Sequence, residues 1–127
     1  MPNIGIPDNP NPAPNYMYEE VFADPLDFNA GDSNAFYCEI TGDTTINLYD
    51  TRVGGTYLIQ LTMDSVGGHT VTLGDLFRGA TLGSGSIDNS ANAVNFISIV
   101  RGRGGYLTYN IINVSVATTT TTSTTTT

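Results

Sequence analysis

The sequence predicts an all-β fold, an antiparallel β-sandwich or jelly-roll-like domain, and three observations carry that expectation. Apolar and polar residues alternate at period two in one run after another, as along strands with one face on a core. Gly-Gly pairs at Gly54-Gly55, Gly67-Gly68 and Gly104-Gly105 punctuate these runs, where tight turns need positive φ. No stretch shows a helical period, so about six to eight short strands account for the folded part.

Taken in order, the chain opens on an arm. Residues 1–15 hold five of the six prolines, interleaved with asparagine. Proline fixes φ and removes an N–H donor, so this segment is read as extended. Ile4 and Ile6 are its sizeable apolar groups and are expected to dock on a neighbouring chain; a frayed terminus is the alternative. The folded domain is expected over residues 16–117.

"YMYEEVF" is short and aromatic, a strand or a single helical turn. "DPLDFNAGDSN" reads as a turn-rich stretch around Pro25 and Gly31, and "AFYCEIT" and "TTINLYD" read as strands broken at Gly42-Asp43. In "GGTYLIQLTMD", Tyr57, Ile59, Leu61 and Met63 alternate with Leu58, Gln60, Thr62 and Asp64, giving one fully apolar face. "SVGGHTVTL" carries a Gly-Gly turn and returns as Val71 and Leu73, a hairpin signal. "GDLFRGATLGSGSIDNSAN" reads as a loop with Leu76, Phe77 and Leu82 beneath it. "AVNFISIV" alternates again, and "YLTYNIINVSV" closes the domain after the tight "RGRGG" connection.

Chemistry is sparse. Cys38 is alone, which leaves no intrachain disulfide, and in "FYCEI" it is read as a small buried hydrophobe. His69 has no second histidine to share a metal, so a turn histidine with local hydrogen bonds is expected. Asp24, Asp27, Asn29 and Asp32 are hard oxygen donors suited to calcium, but their spacing does not follow an EF-hand. An Asx-rich turn without metal is the simpler reading. "GSGS" lacks the strand-turn-helix setting of a hydrolase elbow, and "RGRGG" precedes no helix that could cradle phosphate. Arg101 and Arg103 flank that turn and are candidates for pairing with a partner's carboxylates, a solvated hairpin tip being the alternative. No catalytic residue, cofactor or metal is expected, and the protein is not expected to be an enzyme.

Charged residues make up 13% of the chain and the net charge is −8, with no lysine and four arginines. Nucleic acid and anionic lipid both want a basic footprint, so neither is an expected partner. The N-terminus lacks the basic and apolar regions of a signal peptide, and no segment is long and apolar enough to be inserted in a membrane. The chain is expected to be made and kept soluble, with no sign of export.

The stretch from "GGTYLIQLTMDSVGGHTVTLGDLF" to "NAVNFISIVRGRGGYLTYNI" resembles a β-module of virion proteins in tailed bacteriophages. Gly55, Tyr57, Gly67, Gly68, Thr70, Val71, Thr72, Ala93, Phe96 and Tyr106 stand in the roles of that pattern. Tyr106 and Tyr109 occupy a closing strand where the family often has tryptophan. The resemblance implies a head decoration protein, a head fibre or a tail-fibre module. The threonine-rich residues 118–127 separately resemble the C-termini of structural proteins in crAss-like phages of Bacteroidetes. Polythreonine is β-prone, uncharged and poor in buriable surface, so alone it is expected to stay extended and solvated.

The first expectation is thus a virion structural protein decorating the head, with the major capsid protein as partner. The alternative is a tail-fibre or adhesin module binding host glycans, with Tyr16, Tyr18 and Tyr49 stacking on sugars. Strand edges on so small a domain need covering, so a homo-oligomer is expected, a trimer rather than a dimer.

Overall fold

The computed structural model describes residues 17–74 and 81–114. The arm with Ile4 and Ile6, Tyr16, Leu76, Phe77 and the threonine run lie outside the described residues. Among the described residues nine strands follow in order: β1 Tyr18–Glu19, β2 Leu26–Asn29, β3 Ala35–Ile40, β4 Thr44–Tyr49, β5 Thr56–Met63, β6 Val71–Leu73, β7 Thr81–Ser84, β8 Val94–Arg101 and β9 Leu107–Val114. A short 3-10 turn, Arg103–Gly105, joins the last two.

The fold is all-β, but its first six strands are not wired as an antiparallel sandwich. They cross back and forth between two sheets, so β1, β3 and β5 stack in parallel in one sheet and β2, β4 and β6 in the other. This is a solenoid-like winding of three coils. The antiparallel expectation is corrected here for a physical reason: the Gly-containing corners between β2 and β6 turn the chain toward the opposite sheet rather than back along its own. Gly67-Gly68 shows it. β6 pairs with β4, Thr44 against Val71, and the expected hairpin with β5 does not form.

The winding ends where β8 pairs antiparallel with β5. β9 then pairs antiparallel with β8 and parallel with β7, giving the sheet order β1-β3-β5-β8-β9-β7. Two segments read as turn or loop are therefore strands. Leu26–Asn29 is one, with Leu26 and Phe28 inward and Asp27 and Asn29 outward. Thr81–Ser84 is the other, where Gly83 lies so close to the Tyr109 ring that no side chain would fit between them.

The core fills the space between the sheets. Phe28 and Phe36 meet across it with ring centroids 5.2 Å apart, and Tyr18 packs its edge on Phe36. Ile40, Ile46, Leu48, Ile59, Leu61 and Met63 complete the buried faces of the coils. In β8 the inward residues are Asn95, Ile97 and Ile99, while Val94 and Phe96 face outward. Asn95 tolerates burial because its amide is occupied. Its Oδ1 accepts from the Asp88 N–H (2.8 Å) and from Asn113 Nδ2 (2.6 Å), and its Nδ2 donates to the Asp88 carbonyl (2.9 Å).

Cys38 is fully buried on β3. Burial first, then the nearby carboxylates of Glu20, Glu39 and Glu19, push its thiol up to about 12, so it stays protonated and unreactive at ordinary pH. Iodoacetamide should leave the folded protein unmodified at mildly alkaline pH and label it fully once unfolded. Cys38→Ser should cost about 1–2 kcal/mol, because a buried hydroxyl loses more hydration than a thiol and only the Glu39 carbonyl, which the thiol meets at 3.4 Å, is at hand to replace it. Rapid labelling of the native protein would contradict this placement.

Candidate functional site

The coils leave one face built almost wholly of polar side chains. On the three-stranded sheet, period-two alternation sends Asp27 and Asn29 of β2, Thr45, Asn47 and Tyr49 of β4, and Thr72 of β6 away from the core. The parallel register lines them up across strands: Thr45 beside Thr72, Asn47 beside Asp27, Tyr49 beside Asn29. Asn47 Nδ2 donates to Asp27 Oδ1 at 2.9 Å, which fixes both groups on the surface. From Thr45 to Tyr49 the strip runs about 13 Å along the strand.

At one end the strip opens into a shallow hollow of about 340 Å³, lined by Asp24, Asp43, Thr44, Thr45, Thr70 and Thr72. The coil corners build it. Asp43 Oδ1 accepts the Thr70 N–H at 2.8 Å, and Asp24 Oδ1 accepts the Thr45 N–H at 3.4 Å. Thr44 turns inward and donates to the Ala23 carbonyl at 2.7 Å, tying the first coil to the second. Each aspartate is held through one oxygen, which leaves acceptor capacity on the other. At the far end Tyr49 is 45% exposed. Carboxylates, hydroxyls, an amide and an aromatic face on one flat strip are the groups that hydrogen-bond and stack on a polyhydroxylated ligand.

The other candidates from the sequence fall elsewhere. Tyr18 is half-buried against Phe36. Arg101 is half-buried: its Nη1 donates to Thr51 Oγ1 at 3.0 Å, and its backbone pairs with Gly54 and Gly55. Arg103 is exposed in the 3-10 turn. Of the four oxygen donors, Asp27 serves Asn47, and Asn29 Oδ1 accepts the Gly31 N–H at 2.7 Å in an Asx turn. Among the described residues, no group of three or more His, Cys, Asp or Glu side chains is placed to hold a metal ion.

His69 stands on the corner between β5 and β6, its Nε2 3.0 Å from Asp64 Oδ1. The same oxygen accepts the N–H groups of Val66 and Gly67. The Gly67 N–H, with His69 and Val66, holds the Asp64 carboxyl below the usual carboxylate range. Burial, with Asp32 and Asp27 adding, pushes Glu20 up, so acidic charge is concentrated beside β2.

A protein family described as "Putative phage tail fibre C-terminal domain" matches residues 27–105, well over half of the chain. The chain belongs to this phage tail fibre C-terminal domain family. No curated protein and no solved structure matches it. The matched region runs from β2 through the 3-10 turn, so it contains most of the polar strip. A tail fibre C-terminal domain is a structural component of the virion, and the match favours the tail-fibre alternative over the head-decorating role expected first. From the sequence, Tyr49 stands out as a stacking residue, Asp24, Asp27 and Asn29 as oxygen donors and Thr72 only as part of the family pattern, while Thr45 and Asn47 carry no signal. They look like generic strand residues until the register sets them side by side.

Proposed function

We propose that this phage tail fibre module binds host-surface glycans along the outer face of its three-stranded sheet, without altering them chemically. The observation that carries this reading is the continuous strip from the Asp24–Asp43 hollow past Asn47 to exposed Tyr49. Hydroxyl, amide and carboxylate groups supply directional hydrogen bonds, and the tyrosine ring supplies a stacking surface at low entropic cost. A flat, open strip does not exclude water, which suits binding rather than catalysis. The threonines of residues 118–127 suit a further hydroxyl-bearing fringe, like the crAss-like phage termini they resemble.

A capsid-decorating or head-fibre role is the second reading, favoured by the proline-rich arm. There Ile4 and Ile6 dock on the major capsid protein, and Arg103 and Arg101 pair with carboxylates. The two readings separate by what the isolated chain binds. Saturable binding to host cells or glycan arrays, displaced by soluble polysaccharide, is the expected outcome. Binding to empty capsids with none to host surfaces would overturn it.

A further inference from the structure

We propose that the hollow at the end of the polar strip selects its sugar by charge, taking units that present hydroxyl or amine donors and rejecting those that carry carboxylate, phosphate or sulfate groups. This rests on the glycan-binding reading and names the class of saccharide the site takes. Around the hollow, some polar atoms are spent on the fold and others face the ligand. Asp43 accepts the Thr70 N–H and Asp24 the Thr45 N–H, each through Oδ1, so Oδ2 of each keeps its acceptor capacity. The Thr44 hydroxyl is spent on the Ala23 carbonyl, whereas Thr45, Thr70 and Thr72 line the hollow beside the two aspartates. Carboxylate oxygens only accept hydrogen bonds, while a hydroxyl gives or takes one. A sugar hydroxyl or ammonium therefore meets both aspartates as a donor. An ionised acidic substituent only accepts, so it satisfies neither aspartate and sets like charge against both.

Compensating cations are remote. Among the described residues, the arginines belong to the opposite end of the strip. Arg52 follows Tyr49 after Asp50 and Thr51, Arg101 Nη1 donates to Thr51 Oγ1, and Arg103 sits in the 3-10 turn. The strip's length of about 13 Å separates their backbones from the hollow. That exceeds the Debye length of about 8 Å at physiological salt. His69 precedes Thr70 in the chain, but its Nε2 is held by Asp64 Oδ1. Asp27, farther along the strip, adds a third carboxylate to the same face.

An array of oligosaccharides in neutral, amine-bearing and acid-bearing forms, probed with the full chain at low and at high ionic strength, tests this. Neutral and amine-bearing forms should bind, and acid-bearing forms should bind at least about tenfold more weakly at low salt. Added salt should narrow that gap by screening the aspartates. Asp24→Asn combined with Asp43→Asn keeps an oxygen for each backbone N–H and removes both charges. The acid-bearing forms should then bind within about threefold of the neutral ones. Circular dichroism shows whether the double variant is folded, and if it is not, the salt dependence of the wild-type chain decides alone. Preference for acid-bearing forms, or equal binding of all three, overturns the charge selection while the glycan-binding reading stands. So does a gap that neither salt nor the folded double variant changes. Binding of no form at all overturns both.

Discussion

Gly67→Ala should destabilise the fold by roughly 2–5 kcal/mol, and Gly68→Ala, one residue on, by only about 1–2 kcal/mol. Both glycines have positive φ, +69° and +77°, so each pays the left-handed penalty of an L side chain. They differ in surroundings. A Cβ on Gly67 would stand 2.4 Å from the Ala91 nitrogen and 2.9 Å from the Asn89 carbonyl oxygen, both backbone atoms that cannot swing away. A Cβ on Gly68 meets nothing within 4 Å. The corner that sends the chain from β5 to β6 is thus wedged against the turn before β8. Urea midpoints at unchanged m-value measure the two costs. Equal losses would mean that this corner is not packed as described.

Asn95→Leu should cost about 2–4 kcal/mol, although leucine matches the apolar neighbours and asparagine does not. The change leaves the Asp88 N–H and carbonyl without their partner and removes one acceptor from Asn113. Orphaned buried polar groups cost more than the hydrogen bond itself contributes. A loss under about 0.5 kcal/mol, read from urea denaturation, would show that water or another group replaces the amide.

Asn95 also shows where the sequence misleads. In "AVNFISIV" the apolar residues fall on both faces, so alternation alone does not say whether Asn95 or Phe96 turns inward. The buried hydrogen bonds to Asp88 decide it, and they come from a turn that composition does not reveal. Strand content was legible: β3, β4, β5, β8 and β9 all fall where period-two runs predict them. Their wiring was not, because a half-buried strand shows the same alternation beside a parallel or an antiparallel neighbour. A regular repeat would have exposed the solenoid. Here successive coils advance by 18 and 23 residues in one sheet (Tyr18, Phe36, Ile59) and by 20 and 27 in the other (Leu26, Ile46, Leu73). Corners of such unequal length hide the period.

The same limit applies to the site. Within "TTINLYD" the outward set Thr45, Asn47 and Tyr49 could be separated from Thr44, Ile46 and Leu48 by alternation alone. Its continuation onto Asp27 and Thr72 needed the parallel register, which joins residues far apart in sequence.

Glycan binding by paired tyrosine variants tests the central claim most directly. Tyr49 and Tyr106 are both largely exposed, but Tyr49 ends the polar strip and Tyr106 lies beside the 3-10 turn after β8. Neither is in the core, so both alanine variants should fold normally. Affinity for host-surface polysaccharide, measured by titration calorimetry, should fall roughly tenfold, ~1.4 kcal/mol, in Tyr49→Ala and stay unchanged in Tyr106→Ala. Equal affinity in both variants, or a loss confined to Tyr106→Ala, would contradict the assignment of the three-stranded face as the glycan-binding surface.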